Sequence, residues 1–557
     1  MVLLEEQRTV PMAAAQGAQA LIEQARRRAH RRRLRGGVAV AVVLVVTGAV
    51  LLTGAGGSSG TVTETGTQPF VNIQAFSHEG ELAFVSRGSL WVLDGPAGSL
   101  RKVASTSFTT NSHLLAEFLT PPVPTSATVA PGSPAFSPDG RWLAYLVTPQ
   151  RSNYPDASQL WIARSNGTAA HAVGGLAVDQ LVGWSPRADV LAVSADTKET
   201  LYCSGCGSTP TWHTTHVTLV TPGGRTTRLF SVPSTAVYLE DAVWSPSGNQ
   251  VAVSTLSFNR GGETTVRAYP VNGGTPTTWF SIRNSQRLPG ACPSACAGNG
   301  TVADLAGWWP RWGIGFWVYD DGMSHNNDNT PLELLAAAGA APRLIGSTLS
   351  DGTTDAIAAG AGGALAIVAS TGGRELGAGK RVERCNQATR SCAPVAGASA
   401  WSGVNLQTVC PIACRLFHDP PSGTPGSGVS LDPAWSPNGS LLAYVKAPIA
   451  LTGGWPPLAW YDAHELYLLD QRTHSTTKLA DVDGAAVPTW SRNGRDLLYV
   501  ADDGLWLTPV GGGKPVEIEH PLFPQAEWGS LPGGGTLDTI VYYGQVDWTG
   551  QFSWSSP

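Results

Sequence analysis

Two cysteines and two histidines near the middle of the sequence have the chemistry of a metal site. Cys203 and Cys206 form a C-x-x-C pair, and His213 and His216 follow them within fourteen residues. Thiolate and imidazole groups hold Zn²⁺ in tetrahedral sites, so these four side chains are the weak metal candidates of the sequence. The spacing from Cys206 to His213 is short for a zinc finger, and outside the cytoplasm a disulfide competes with the metal.

The eight cysteines of the chain fall into close pairs, which predicts local disulfides in an exported domain. Eight cysteines allow about a hundred connectivities, yet the short spacing favours neighbours. One pair flanks six residues that read as a hairpin turn, and two pairs share the form C-P-x-A-C and could also bond to each other. The pairs are Cys203/Cys206, Cys292/Cys296, Cys385/Cys392 (the hairpin pair) and Cys410/Cys414.

Two further stretches carry side chains that bind ligands in other proteins. Residues 320–329 read DDGMSHNNDN and supply enough oxygen atoms for Ca²⁺, although they lack the glutamate and the spacing of an EF-hand. Residues 455–465 are aromatic and could form an apolar binding surface with Trp308, Trp309, Trp312 and Trp317. A solvated turn for the first stretch and packing between sheets for the second are the alternatives, and both stay open.

No set of residues in the sequence predicts catalysis. The pattern G-x-S-x-G occurs at 56–60, but it lies in a Gly/Ser-rich stretch rather than at the strand-to-helix turn where such a serine acts. Carboxylates are scattered along the chain, and the sequence alone does not show which of them converge. We therefore predict no catalytic residue and no cofactor.

An internal sequence repeat predicts the strands and turns that position the candidate residues. Five copies read as an aromatic residue, Ser, Pro or Arg, a variable residue and usually Gly, followed by an apolar run. The aromatic, proline and glycine positions are Phe136, Pro138, Gly140, Trp184, Pro186, Trp244, Pro246, Gly248, Trp435, Pro437, Gly439, Trp490 and Gly494. Weaker copies start near 76, 309 and 360.

Each copy predicts one strand, a tight turn and a second strand. Pro sets φ in the turn, Asp or Asn hydrogen-bonds to its own backbone, and Gly accepts a positive φ. A third and a fourth strand follow in most copies, and four-stranded antiparallel units of this kind bury their faces only against each other. The predicted fold class is therefore all-β, a β-propeller. The copies favour eight blades, and seven remain possible if the segment near 360 is an insertion.

The repeat resembles the WD-like repeats of TolB-type β-propellers over roughly residues 70–545. The propellers of dipeptidyl peptidases and prolyl oligopeptidases use a related pattern. This resemblance implies the architecture and says little about activity, although soluble periplasmic members of the family are platforms for protein interactions. The present chain differs from them by an apolar N-terminal segment, and it has no recognisable companion domain.

The N-terminal part of the chain predicts a membrane anchor. Residues 1–36 are a basic, partly helical segment with eight arginines and three glutamates, which leaves a net charge of −10 for the other 521 residues. A transmembrane helix over residues 37–55 follows, and its uncharged stretch 38–55 spans about 27 Å. The arginines should stay cytoplasmic, with residues 56–69 as a flexible linker and residues 70–557 as the extracytoplasmic propeller. A cleaved signal is the alternative to a retained anchor.

Composition narrows the function without identifying a ligand. The net charge of −5 argues against a nucleic-acid binder, and an apolar content of 42% argues against disorder. We expect a single-pass membrane protein whose propeller is a binding platform for a protein, a peptide or an envelope ligand. The alternatives are a propeller enzyme, a lyase or a glycan-active hydrolase with its site in the central channel, and a sensor component that acts through a partner.

Overall fold

The structure is a computed structural model. It describes strands and short turns in the part of the chain where the sequence predicts a propeller. The described residues are 68–86, 89–105, 128–129, 134–148, 158–203, 207–233, 237–257, 263–283, 301–320, 330–348, 356–370, 379–398, 428–449, 463–501, 504–522 and 551–556. The predicted anchor at 37–55 and the G-x-S-x-G pattern lie outside them. Over these ranges, no helix is both long enough and apolar enough to cross a membrane.

The described chain is almost entirely β-strand. One 3₁₀ turn, Ala361–Gly363, interrupts the strands of these ranges. In the N-terminal half the strands are β1 (Phe70–Val71), β2 (Glu81–Ser86), β3 (Ser89–Asp94), β4 (Ser99–Ser105), β5 (Thr128–Val129), β6 (Ala135–Phe136), β7 (Trp142–Thr148), β8 (Gln159–Arg164), β9 (His171–Ala172), β10 (Val178–Trp184), β11 (Leu191–Cys203), β12 (Gly207–Val220), β13 (Thr226–Ser231), β14 (Val237–Trp244), β15 (Gln250–Ser257), β16 (Glu263–Pro270) and β17 (Thr277–Arg283). In the C-terminal half they are β18 (Thr301–Trp309), β19 (Gly313–Asp320), β20 (Thr330–Leu335), β21 (Arg343–Thr348), β22 (Ile357–Ala359), β23 (Leu365–Ser370), β24 (Lys380–Asn386), β25 (Ser391–Pro394), β26 (Gly428–Trp435), β27 (Leu441–Pro448), β28 (Glu465–Asp470), β29 (Thr476–Asp483), β30 (Ala486–Trp490), β31 (Asp496–Ala501), β32 (Gly504–Pro509), β33 (Val516–His520) and β34 (Phe552–Ser555).

Four-stranded antiparallel sections repeat along the described chain, and we number them as units. Within each unit the strands pair one after the other, from a first strand to a fourth. The units are I (β34, β2, β3, β4), II (β5 and β6, β7, β8, β9), III (β10 to β13), IV (β14 to β17), V (β18 to β21), VI (β22 to β25), VII (β26 to β29) and VIII (β30 to β33, extended by β1). Units V and VI also share a single pairing, between Thr348 and Ala369.

The repeat turns have the predicted geometry, and their serine has a role that the sequence reading missed. In the copy of unit VII, Gly439 has a φ of 70°. The buried Ser436 hydroxyl donates to Asn438 Oδ1 at 2.9 Å and accepts the N–H of Leu441 at 2.9 Å. Units II, IV and VIII repeat the serine contact to the residue five positions on. The serine hydroxyl therefore stabilises the turn by hydrogen bonds to residues on both sides of the glycine.

The repeat tryptophans pack between units, and most of them also hydrogen-bond to the preceding unit. The Nε1–H of Trp244 donates to the carbonyl oxygen of Gly183 at 2.8 Å, and that of Trp490 donates to Ala434 at 2.9 Å. In both cases the acceptor directly precedes the repeat tryptophan of the unit before. Together with the bond from Trp184 to Ala135, these bonds join units III, IV and VIII to their preceding units at equivalent points.

Apolar clusters fill the seams between consecutive units. Separate clusters join units I and II, II and III, III and IV, IV and V, and V and VI, and a large cluster joins units VI, VII, VIII and I. The C-terminal strand β34 pairs with β2, so the last part of the chain completes the first unit. Repeated antiparallel sheets with buried faces and joined ends are the architecture of a β-propeller.

Two units differ from the expected repeat. Residues 72–80, read as a weak copy near 76, form turns rather than a first strand, and Phe552–Ser555 occupies the first-strand position of unit I instead. In unit VI the turn between the first two strands is the 3₁₀ turn, where Gly362 has a φ of 69°. Residues 528–543, whose sequence resembles two further strands, lie outside the described residues.

Candidate functional site

The antiparallel order of the strands divides the connections between two faces of the propeller. Connections from first to second and from third to fourth strands lie on one face, the turn face, and contain three to seven residues. Connections from second to third strands and from unit to unit start and end at the opposite face, the loop face, and contain up to 33 residues, between β25 and β26. The chain also enters at the loop face, because Phe70 of β1 pairs with His520 at the end of β33.

Most of the residues that the sequence marks as site candidates belong to connections of the loop face. They follow β11 (Cys203, Cys206), β17 (Cys292, Cys296), β19 (321–329), β25 (Cys410, Cys414) and β27 (455–462). Apart from Cys203, which ends its strand, these residues lie outside the described ranges. The described strands that precede these candidates end at the loop face, and long connections on a rigid scaffold are where binding proteins carry their recognition residues.

Strand pairing separates the members of the predicted zinc quartet. Cys203 pairs with Gly207 at the start of β12, whereas His213 lies six residues farther along that strand. Six residues of strand span about 20 Å, and a zinc ligand atom lies about 2 Å from its ion. His216 lies farther still and is buried, and its pKa is lowered by desolvation and by the charge of Arg228. The pairing thus does not bring the histidines to Cys203.

One predicted disulfide lies within the described residues and is confirmed. Cys385 of β24 and Cys392 of β25 are paired residues, and their sulfur atoms are bonded. The tip of this hairpin reaches unit V, where Arg390 Nη1 donates to the carbonyl oxygen of Trp312 at 3.2 Å. The disulfide therefore fixes a hairpin that holds unit VI against unit V on the turn face.

The four tryptophans of unit V pack within the sheets, in agreement with the packing alternative. Trp309 and Trp312 are buried in the seam with unit VI. Trp308 contacts Trp279 of unit IV edge-on, with ring centroids 4.9 Å apart. Trp317 donates its Nε1–H to a hydroxyl of β21 at 2.7 Å. These side chains are thus part of the scaffold.

The first strands of the units carry acidic residues and no basic ones. First strands contact each other in sequence from unit I to unit V and again from unit VI to unit VIII, as strands that line a central channel do. Over the described first strands, Lys and Arg are absent, and five carboxylates occur. These are Asp179 of unit III, Glu240 and Asp241 of unit IV, Asp304 of unit V and Asp432 of unit VII.

Asp241 is the most strongly perturbed of these carboxyl groups. It lies at a bulge of β14, and its Oδ1 accepts the N–H of Ala242 at 2.6 Å. Desolvation raises its pKa to about 8, and the charges of Asp304 and Glu240 add to the rise. The Asp241 side chain is partly buried in the first strand of unit IV. At neutral pH it is a neutral acid beside Asp304.

Asp432 occupies the equivalent position in unit VII, three residues before the repeat tryptophan. Its Oδ2 accepts the N–H of Val487 at 3.1 Å, and burial raises its pKa to about 6. Asp432 and Val487 have φ values of 49° and 48°, a conformation that a β-branched residue rarely adopts. The two strands are thus bent at the same level, next to the channel.

Sequence reasoning missed this acidic lining because it depends on which strands face the channel. The carboxylates follow no common motif, and their spacing along the chain ranges from adjacent positions to more than a hundred residues. One local signal was available, since Asp241 and Asp432 precede Trp244 and Trp435 by three residues. This spacing places the two aspartates on first strands only when the repeat tryptophan is known to end a first strand.

Comparison with known proteins identifies no family for this chain. No family model and no curated protein matches it. Solved structures of similar shape include an oligogalacturonate lyase in complex with manganese, with 10% identity and a TM-score of 0.35 over 83% of this chain and 90% of that one. The propeller domain of the Trilobed protease from Pyrococcus furiosus matches with 8% identity and a TM-score of 0.34 over 70% of this chain and 97% of that one.

A peptidase structure matches the chain with a similar identity and TM-score. Dipeptidyl peptidase 4 of Porphyromonas gingivalis matches with 12% identity and a TM-score of 0.36 over 76% of this chain. The match spans about half of that enzyme, 54% of its length. Likenesses this weak do not carry a function, and the propeller assignment rests on the strand pairing of the chain itself.

Proposed function

We propose that this protein is a membrane-anchored, extracytoplasmic binding propeller whose central channel takes a cationic group of a protein or peptide ligand. The observation that carries the proposal is the composition of the first strands, five carboxylates without a single Lys or Arg in the described ranges. Carboxylates gathered between low-dielectric walls concentrate positive ligands, and their field is stronger there than at an open surface.

The finer points of the architecture belong to the same proposal. We take the eight units as eight blades of one closed ring, which the consecutive apolar seams and the pairing of β34 with β2 support. Residues 38–55 anchor the chain in the cell membrane, with the arginines of residues 1–36 on the cytoplasmic side. Because the chain enters at the loop face, that face lies toward the tether.

The pH dependence of cation binding tests the proposal. The probe is a hexalysine peptide, titrated calorimetrically into the full chain in detergent. Asp304→Asn should weaken binding about tenfold by removing a charge from the channel. Affinity should rise between pH of about 7 and 9, as Asp241 loses its proton, and Asp241→Asn should abolish this rise.

Glu263→Gln is the matched control, because Glu263 is an exposed carboxylate at the start of β16, away from the first strands. It should leave the affinity and its pH dependence unchanged. The proposal fails if hexalysine does not bind, or if the control weakens binding as much as Asp304→Asn does.

A glycan-active enzyme is the second candidate, and one observation favours it. Asp241 and Asp304 are neighbouring carboxyl groups of which Asp241 holds its proton at neutral pH, the pairing that glycoside hydrolysis uses for its acid and its base or nucleophile. Incubation with a panel of envelope glycans tests this function. Turnover that Asp241→Asn and Asp304→Asn abolish, and Glu263→Gln preserves, would establish it.

A further inference from the structure

The turn face is basic, although the part of the chain after residue 36 is acidic. Its turns, taken with residues 72–80, contain nine Lys and Arg residues and three Asp and Glu residues. The remainder of the chain after residue 36 therefore has a net charge of −16. The cations are Arg141, Arg187, Arg225, Arg311, Arg390, Arg472, Arg492, Arg495 and Lys514. All of them except Arg390 are exposed.

The acids of this face do not neutralise most of its cations. Asp139 and Asp189 both form ion pairs with one arginine, Arg141. Glu79 is half-buried, and desolvation raises its pKa, which favours its neutral form. None of the other exposed cations has an ion pair with a described residue. Seven exposed cations thus remain outside any ion pair, although the strand-end carboxyl groups of Asp470 and Asp496 interact electrostatically with Arg472 and Arg495.

Some of these cations are also held in place. Arg492 Nη2 donates to the carbonyl oxygen of Pro138 at 2.7 Å, and Arg311 Nη1 donates to that of Gly362 at 3.0 Å. A carbonyl partner orients a guanidinium and leaves its positive charge available. The positive field of the face is therefore attached to the rigid turns between strands.

We propose that the turn face binds a linear polyanion, a polymer with phosphate or carboxylate groups at regular intervals. The seven cations belong to units III, V, VII and VIII, so they form a broad surface and not a pocket. A small anion could contact one or two of them, whereas a polymer lying across the turns contacts several at once. Arg is suited to this ligand because its guanidinium binds phosphate and carboxylate through two parallel hydrogen bonds.

The topology favours such a polymer over the anchoring membrane. The chain enters at the loop face, so the turn face points away from a bilayer that holds residues 38–55. This step rests on the proposed anchor, whereas the basic character of the turn face does not. A polymer of the envelope can approach that side, which a headgroup of the anchoring bilayer cannot.

Three cations of units VII and VIII provide the test. Arg495 and Lys514 lie on adjoining turns of unit VIII, where Val510 N donates to Arg495 O at 2.8 Å, and Arg472 lies on a turn of the neighbouring unit VII. The variant Arg472→Gln/Arg495→Gln/Lys514→Gln removes three charges from this area. The matched control, Arg101→Gln/Arg228→Gln/Arg267→Gln, removes three exposed charges from strands β4, β13 and β16.

Binding is measured with the full chain in detergent, using long-chain inorganic polyphosphate and poly-glutamate as separate probes over a series of salt concentrations. We expect at least one polymer to bind, with an affinity that falls as salt rises. The turn-face variant should lower the affinity about tenfold or more and reduce the slope of log affinity against log salt by about 2, at 0.7 per lost contact. The control variant should change neither quantity.

The two probes identify the anionic group, since a preference for polyphosphate or for poly-glutamate supports the proposal and names the chemistry. Failure of both polymers to bind overturns it, as does an equal loss in the control variant. Binding to vesicles of phosphatidylglycerol without binding to either polymer also overturns it, in favour of a membrane surface. Hexalysine binding in the turn-face variant separates this result from the channel function, because the variant leaves the first strands intact.

Discussion

A buried carboxyl group between units IV and V should make the stability of the propeller depend on pH. Glu333 of β20 is 1% exposed, and its Oε1 has no hydrogen-bond partner among the described residues. It pairs with Phe316 of β19, so it points to the same face of the sheet as this residue, into the seam with unit IV. Burial raises the pKa of the carboxyl from 4.5 to about 7.

The sign and size of the effect follow from this shift. The folded state holds the Glu333 proton more tightly than the unfolded state, so this group lowers the stability as the pH rises from about 4.5 to about 7. A difference of about 2.5 pKa units corresponds to about 3 kcal/mol of unfolding free energy. Glu333→Gln keeps a neutral group of the same shape. It should match the wild type at pH of about 4.5 and exceed its stability by about 3 kcal/mol at pH of about 8.5.

Urea denaturation of wild type and variant at both pH values measures this difference directly. Asp241 and Asp432 also have raised pKa values, but they contribute equally to both proteins and cancel in the comparison. Glu263→Gln, at the exposed start of β16, is the control and should show no gain at high pH. A Glu333→Gln effect of equal size at both pH values would refute the reasoning, because it would mean that ionisation of Glu333 costs the fold nothing.

Two predictions concern the repeat turns. Ser436→Ala should lower the unfolding free energy by about 1–2 kcal/mol, because it leaves the partly buried N–H of Leu441 without its acceptor, whereas exposed Ser440→Ala should cost less; urea denaturation distinguishes them. Gly140→Ala should cost about 1–2 kcal/mol, since this residue has a φ of 70°, while Gly511→Ala, in open space and without a positive φ, should cost less than half of that. Equal costs within either pair would contradict the assigned turn geometry.

The sequence predicts those parts of the fold that short-range chemistry determines. The turn after Trp435 could be predicted because Pro437, Asn438 and Gly439 each favour one backbone conformation. The Cys385–Cys392 bond could be predicted because the two residues flank a hairpin. Both features are complete within ten residues, so no distant part of the chain is needed to specify them.

The rest depends on contacts between residues far apart in the chain. The first strand of unit I comes from Phe552–Ser555, more than four hundred residues after its partner β2, while the nearby Phe76 only resembles a repeat aromatic. The sequence does not indicate that the channel carboxylates belong to one site, because no sequence pattern distinguishes the strands that line the channel from the other strands. The electrostatic interaction between Asp241 and Asp304 arises because β14 packs against β18.

The arrangement of charge gives the propeller two surfaces of opposite sign with different ligand requirements. The acidic first strands line the channel, where the low dielectric strengthens each charge and where desolvation, followed by the charges of Asp304 and Glu240, raises the pKa of Asp241. The positive turns lie at the surface, where each charge is screened within about 10 Å and several must act together. Under the two functions proposed above, the channel would recognise a single cationic group, whereas the turn face would need a ligand that repeats its charge. A molecule with one compact cation and an extended anionic chain would satisfy both surfaces, and a neutral ligand would satisfy neither.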